Sequence, residues 1–468
     1  MAVEARERDY VQADATALAA AVERGAVAPR TLLEIAIGRA RRLQPAFGAF
    51  SQFGEDLARA QLAAMESPGT GPRGPFHGVP FAVKDLGAPL AGLPTRAGSR
   101  ALGPGTPPDP RDGALVARLR AAGFVPFGKT TVPEFGLDLA SEPAAGPVCR
   151  NPWAPGYGAG GSSGGAAAAV AAGIVPVAHA TDAGGSIRIP AAACGLVGLK
   201  PGRGTVPCGP DYGNVFGGLA SEFVLSRSVR DSAAVWRWIA RGAPSGGPGA
   251  PLRIGLLLEA PRGAEVEAPW REAAAHAAGA LRAAGHALRP VDPARLRPAC
   301  DDAALAFRTF ACRAAAAAAD ALRPAEADLE PATWAAARRG RALSARDHLD
   351  AEIATARCTD DLSTFFHAQG FDALLTPSLA AALPAVGALR GDGDFDRHLA
   401  RFDRYAPFAA VANASGCPAI AVPHGRDASG RPLSVQLMGP PGAEDLLLGL
   451  AVWLEARHPW QRLPDDLP

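Results

Sequence analysis

The 468-residue chain lacks an excess of either charge: 47 Lys and Arg stand against 46 Asp and Glu, for a formal net charge of +1. That balance excludes a broad field for nucleic acid or an anionic membrane, and a small-molecule partner is expected. Paired cysteine motifs are missing too. The seven cysteines, at 149, 194, 208, 300, 312, 358 and 417, are scattered and contain no C-x-x-C. This argues against a disulfide framework or a zinc site, and a reducing, cytoplasmic setting is expected. Long apolar runs are absent as well. The longest, residues 165–180, is dominated by Ala and Gly, is broken by Pro176 and His179, and falls short of the roughly 20 residues of a membrane span. The first nine residues carry charge where a secretory signal needs an apolar stretch, and no internal repeat is visible.

What is present is material for a core, since 48% of the residues are hydrophobic and 20% charged. Such a length suits two or three average domains, or one continuous sheet. Helical patterns cover residues 14–24, 29–43, 113–122, 166–172 and 443–456. Strand patterns cover 78–85, 124–127, 174–178, 252–258, 373–377, 419–423 and 434–438. Residues 1–66 read as an N-terminal helical arm. Residues 264–365, rich in Ala, Arg, Asp and Glu at helical spacing, read as a helical insertion or cap. Strands near both ends of the chain suggest one sheet closed by its C-terminal part.

Residues Gly123 to Thr130 fit the expression G-x-x-x-x-G-K-[ST], but only formally. A phosphate cradle follows a strand and needs small residues with free N–H groups. Here Phe-Val-Pro-Phe fills the loop, and Pro126 has no N–H.

The informative pair is Gly160-Gly-Ser162-Ser-Gly-Gly165 with Gly184-Gly-Ser186, its two serines 24 residues apart. Either stretch alone reads as a linker; two of them around a helix and a strand do not. Nucleophilic serine chemistry needs a hydroxyl, a base and N–H donors for an oxyanion. Ser186 supplies the first, and the amides of Ala183, Gly184, Gly185 and Ser186 can supply the third. For the base, His179 is the nearest imidazole, but its strand-like run places it toward the core. Lys84 ends an apolar strand where burial could hold its amine neutral. On strand pattern alone it reads as a surface lysine, and the two serine motifs reverse that reading.

These residues resemble the amidase-signature enzymes over nearly the whole chain. The likeness runs through Gly78-Val-Pro-Phe-Ala-Val-Lys-Asp85, Gly128-Lys-Thr-Thr131, Arg150-Asn-Pro-Trp153, the dense stretch Gly160 to Pro201, Ser226-Arg-Ser-Val-Arg-Asp231 and Pro418-Ala-Ile-Ala-Val-Pro423. It implies a single α/β domain over residues 1–468, with one large mixed twisted sheet covered by helices on both faces and a signature core at 78–231. It also implies catalysis by Lys84, Ser162 and Ser186, with a cis peptide at Ser162 and an acyl-enzyme on Ser186. Supporting roles fall to Ser163, Thr181, Asp182 and Arg188, and no metal or organic cofactor is implied. Residues 133–143, 208–217 and 300–345 are expected to line the substrate pocket of a monomer or homodimer. Within the family, the chain looks most like 6-aminohexanoate cyclic-dimer hydrolases. Aryl or acyl amidases, carbamate hydrolases and the glutamine-amidase subunit of a tRNA amidotransferase stay open as alternatives.

Overall fold

Short apolar segments bounded by Gly and Pro become the strands of the computed structural model, which describes residues 2–67, 73–208, 216–240, 251–390 and 393–467. In chain order they are β1 (Phe50–Phe53), β2 (Pro80–Lys84), β3 (Val125–Thr130), β4 (Arg150–Asn151), β5 (Ala154–Gly158), β6 (Val177–Asp182), β7 (Val197–Lys200), β8 (Ser221–Ser226), β9 (Arg253–Leu256), β10 (Ala287–Pro290), β11 (Ala373–Pro377), β12 (Ala419–Arg426) and β13 (Pro432–Met438). Eleven of them form one sheet in the order β1-β3-β2-β6-β8-β7-β12-β13-β11-β9-β10, and β4 and β5 pair separately. The sheet is mixed. β2 runs parallel to β3 and β6, and β9 runs parallel to β10 and β11, while the other pairings are antiparallel.

Side chains alternate between the two faces of a strand. Every residue of β2, β3, β6, β7, β8, β11 and β13 is buried, so helices must cover both faces. The helix Gly164–Ala171 is itself buried at every position; its Gly and Ala side chains let it lie close to β2 and β6.

The C-terminal strands do join the same sheet, but from within. β12 and β13 lie between β7 and β11, and the edges are β1 and β10, so the sheet stays open. Residues 264–365 hold the helices Ala268–Ala283, Arg297–Leu322 and Pro331–Ala342, most of the helix Ala345–Gln369, and strand β10. β10 was not visible in the sequence because Ala-Leu-Arg-Pro is largely exposed and has no apolar face to mark it. Residues 1–66 hold four helices and the edge strand β1, which pairs with β3. The residues that mimic a phosphate loop are mostly β3 itself, with Lys129 buried and 2.8 Å from Asp109.

Candidate active site

Parallel β2 and β6 are neighbours, so Lys84, Thr181 and Asp182 emerge at the same end of the sheet. The carboxyl ends of parallel strands are where open α/β sheets place their sites. Lys84 is fully buried. Its Nζ lies 2.7 Å from Ser162 Oγ and 2.7 Å from Thr181 Oγ1. Burial lowers its pKa to about 7, the carboxylates of Asp182 and Glu222 opposing that fall. An amine in that range exists partly as the free base at neutral pH.

Ser162 reaches this amine from the glycine-rich turn before the helix Gly164–Ala171, and the Gly161–Ser162 peptide is cis. Ser163 fastens the same turn to β6: its Oγ donates to Thr181 O at 3.2 Å and accepts from Thr181 N at 3.4 Å.

The second turn is organised by Asp182. Its carboxylate accepts from Gly185 N (2.7 Å), Ile187 N (3.1 Å), Arg188 Nε and Nη2 (both 3.0 Å) and Asn413 Nδ2 (2.8 Å). Burial alone would raise its pKa, but the Arg188 guanidinium overrides that and holds the carboxyl well below its usual range. Arg188 is in turn tied to Gln436 Oε1 (2.8 Å) and Asn413 Oδ1 (2.7 Å). Gly185 has φ +126°, a conformation that disfavours any side chain. At Gly184 an added Cβ would come within 2.7 Å of the Phe307 ring.

This geometry corrects one expectation. The Gly185 amide is committed to Asp182 and does not face the site, whereas the amides of Ala183, Gly184 and Ser186 make no hydrogen bond among the described residues. Ser186 is only half-buried, so solvent reaches it, whereas Lys84 and Ser162 are buried. Its hydroxyl makes no hydrogen bond among the described residues. His179 sits in the core as expected, fully buried and 3.0 Å from Glu222 Oε2.

Sequence reasoning missed Asn413, Gln436 and Glu222, which no motif marks. The expected pocket segments do meet. Leu86, Phe135, Leu137, Ala183, Phe307 and Phe310 share one apolar cluster, and beside Gly184 a cavity of about 60 Å³ is walled by apolar residues such as Phe307 and Phe402 together with Arg262, Arg308 and Asp403. Residues 209–215 of the third expected stretch lie outside the described residues. Among the described residues no His, Cys, Asp and Glu group is arranged to hold a metal ion, and no helix is long and apolar enough to cross a membrane.

The Amidase family model matches residues 31–448. AmiC of Mycobacterium tuberculosis is 38% identical over 96% of this chain and 95% of its own length. The 6-aminohexanoate-cyclic-dimer hydrolase of Paenarthrobacter ureafaciens is 35% identical over 96% and 95%. A structure of 6-aminohexanoate cyclic dimer hydrolase complexed with substrate superposes with a TM-score of 0.90 at 32% identity, covering 98% of this chain and 100% of that one. With a family model spanning most of its length, and with relatives and fold in agreement, the chain belongs to the amidase-signature family and is an amide hydrolase.

Proposed function

We propose that the chain cleaves its amide through an acyl-enzyme on Ser186, with Lys84 as the base and Ser162 as the relay. Neutral Lys84 takes the Ser162 proton as Ser162 takes that of Ser186. The Ser186 Oγ then forms a bond to the carbonyl carbon, and the carbonyl oxygen gains the negative charge. The amides of Ala183, Gly184 and Ser186 are the donors for that oxyanion. Collapse breaks the carbon–nitrogen bond, the leaving amine takes the proton back from Lys84 through Ser162, and water hydrolyses the ester. Ser163, Thr181, Asp182 and Arg188 hold the two turns in register. The reading requires no cofactor, nucleic acid, membrane or partner subunit.

The observation that carries it is the 2.7 Å contact between Ser162 and a fully buried lysine whose pKa lies near 7. For the substrate, the cyclic-dimer hydrolases at 35% identity favour a cyclic or linear amide such as an aminohexanoate oligomer. The apolar wall of Phe307 and Phe402 suits a methylene chain.

The test combines a substrate panel with mass spectrometry. Aminohexanoate cyclic dimer and linear oligomers, aryl acylamides and carbamates are incubated with the enzyme, and the acylated residue is mapped. Ser186 should carry the acyl group or a fluorophosphonate label, and Ser186→Ala should abolish both labelling and turnover. Turnover with the label on another residue would overturn the mechanism; turnover of aryl amides or carbamates alone would overturn the substrate class.

A further inference from the structure

A second pocket lies at the far end of the sheet. Successive antiparallel pairings from β6 through β8 and β7 to β12 set the start of β12 at the Ser186 end and residues Pro423 to Arg426 at the other. Eight residues of strand put the two ends on the order of 20 Å apart. The pocket, about 440 Å³, is lined by His276, His424, Arg426, Arg457, His458 and Trp460 among others, and no Asp or Glu lines it.

Three imidazoles cluster there, with ring centroids 4.9 to 5.3 Å apart. His276 Nδ1 is 2.8 Å from His424 Nε2. His424 is buried, and burial together with the two neighbouring rings pushes its pKa down to about 4, so at neutral pH it carries one ring proton. Its Nδ1 has no hydrogen-bond partner among the described residues, while its Nε2 and His276 Nδ1 share one hydrogen bond. His276 is exposed and lines the pocket. Arg426 stacks 4.4 Å above Trp153, and Arg457 lies 5.8 Å from Trp453. Both guanidiniums are exposed, and neither has a carboxylate partner among the described residues.

A pocket that gathers two guanidiniums without carboxylate partners among the described residues, that of Arg426 held by Gln461 Oε1, beside a cluster of imidazoles and with no acid in its lining, is built for an anion. The two fixed positive charges oppose a metal ion. A guanidinium matches a carboxylate through two parallel hydrogen bonds, and the Trp460 face offers apolar contact for a carbon tail. We propose that this pocket binds a small organic carboxylate, separately from the catalytic site.

Calorimetric titration of the full-length enzyme with benzoate, hexanoate, inorganic phosphate and zinc tests it. The two carboxylates should bind wild-type protein and also protein whose Ser186 is blocked by a fluorophosphonate. Binding should weaken about tenfold or more in Arg426→Gln/Arg457→Gln, the loss expected when charge-assisted pairs are removed, with amide turnover unchanged. His424→Asn should weaken it too, by breaking the imidazole cluster. No carboxylate binding, equal binding by the double variant, loss on blocking Ser186, phosphate binding as tightly as either carboxylate, or zinc as the sole ligand would each overturn the proposal.

Discussion

At the scale of the residue, the decisive contrast is between two buried lysines. Burial lowers both amines, but Lys129 has the Asp109 carboxylate at 2.8 Å, whereas among the described residues the hydrogen-bond partners of the Lys84 amine are oxygens of Ser162 and Thr181, with the Asp182 and Glu222 carboxylates acting from farther off. A neighbouring carboxylate favours the ammonium, and neutral oxygens in a buried site do not. Lys84→Ala should therefore lower kcat by roughly 10³-fold or more, and Lys129→Ala much less; equal losses would make Lys84 a structural lysine. The pH profile carries a sign. With a pKa of about 7, the free base disappears as pH falls, so single-turnover acylation should drop toward tenfold per pH unit below 7 and level off above it. A limb that vanishes in His179→Ala would move the base to the imidazole. The glycine-flanked serines stand out in the sequence, but a lysine ending an apolar strand reads as a surface residue, and it was the family resemblance that singled out Lys84 and Ser162 beside Ser186. The commitment of the Gly185 amide was not legible, because its acceptor reaches it only once the turn has closed.

At the scale of the element, the short helix Ala410–Ala414 acts as a fastener between the C-terminal half of the sheet and the Ser186 turn. Asn413 Nδ2 donates to Asp182 O (2.9 Å), Asp182 Oδ1 (2.8 Å) and Leu219 O (3.1 Å), while its Oδ1 accepts from Arg188. Nothing in the segment Ala-Val-Ala-Asn-Ala announces this. The partners are about 190 to 230 positions away in sequence and meet only because β12 lies beside β7. Asn413→Ala would leave buried polar groups without partners, at about 1–3 kcal/mol for such a group. The expected outcome is a lower Tm together with a fall in kcat of about 10- to 100-fold and little change in KM, since under the proposed mechanism the loss falls on the turn that carries Ser186 rather than on the pocket wall. A Tm drop with kcat intact would show that the fastener serves stability alone.

At the scale of the whole molecule, chain order and sheet order diverge. Length left open whether these residues make one domain or several, and no local pattern reports which strands become neighbours. The hydrophobic periodicity marked most of the strands, but β12 and β13 enter between strands that precede them, joining β7 of the first half to β11 of the second. The first six strands of the sheet, β1-β3-β2-β6-β8-β7, and the last five, β12-β13-β11-β9-β10, form two contiguous blocks joined by the β7–β12 pairing, and removing the last 60 residues would take β12 and β13 out and separate β7 from β11. Edge strand β1 likewise ties the N-terminal helices to β3 through Phe50, whose ring packs 5.3 Å from Phe127. Hydrogen-bonded strands that share buried faces lose their support together when one is removed, so the two halves should unfold as a single cooperative unit despite the chain length. In urea, loss of helix and strand followed by far-UV circular dichroism should coincide with the change in tryptophan fluorescence. The fluorescence reporters are spread over the molecule, with Trp236 on the helix Val229–Ile239, Trp270 on Ala268–Ala283 and Trp334 on Pro331–Ala342. If the helical segment 264–365 were an independent cap, replacing both Trp270 and Trp334 by Phe would erase an early fluorescence transition that leaves most of the circular dichroism signal in place; coincident curves in both proteins would show that the cap is held by the sheet it covers.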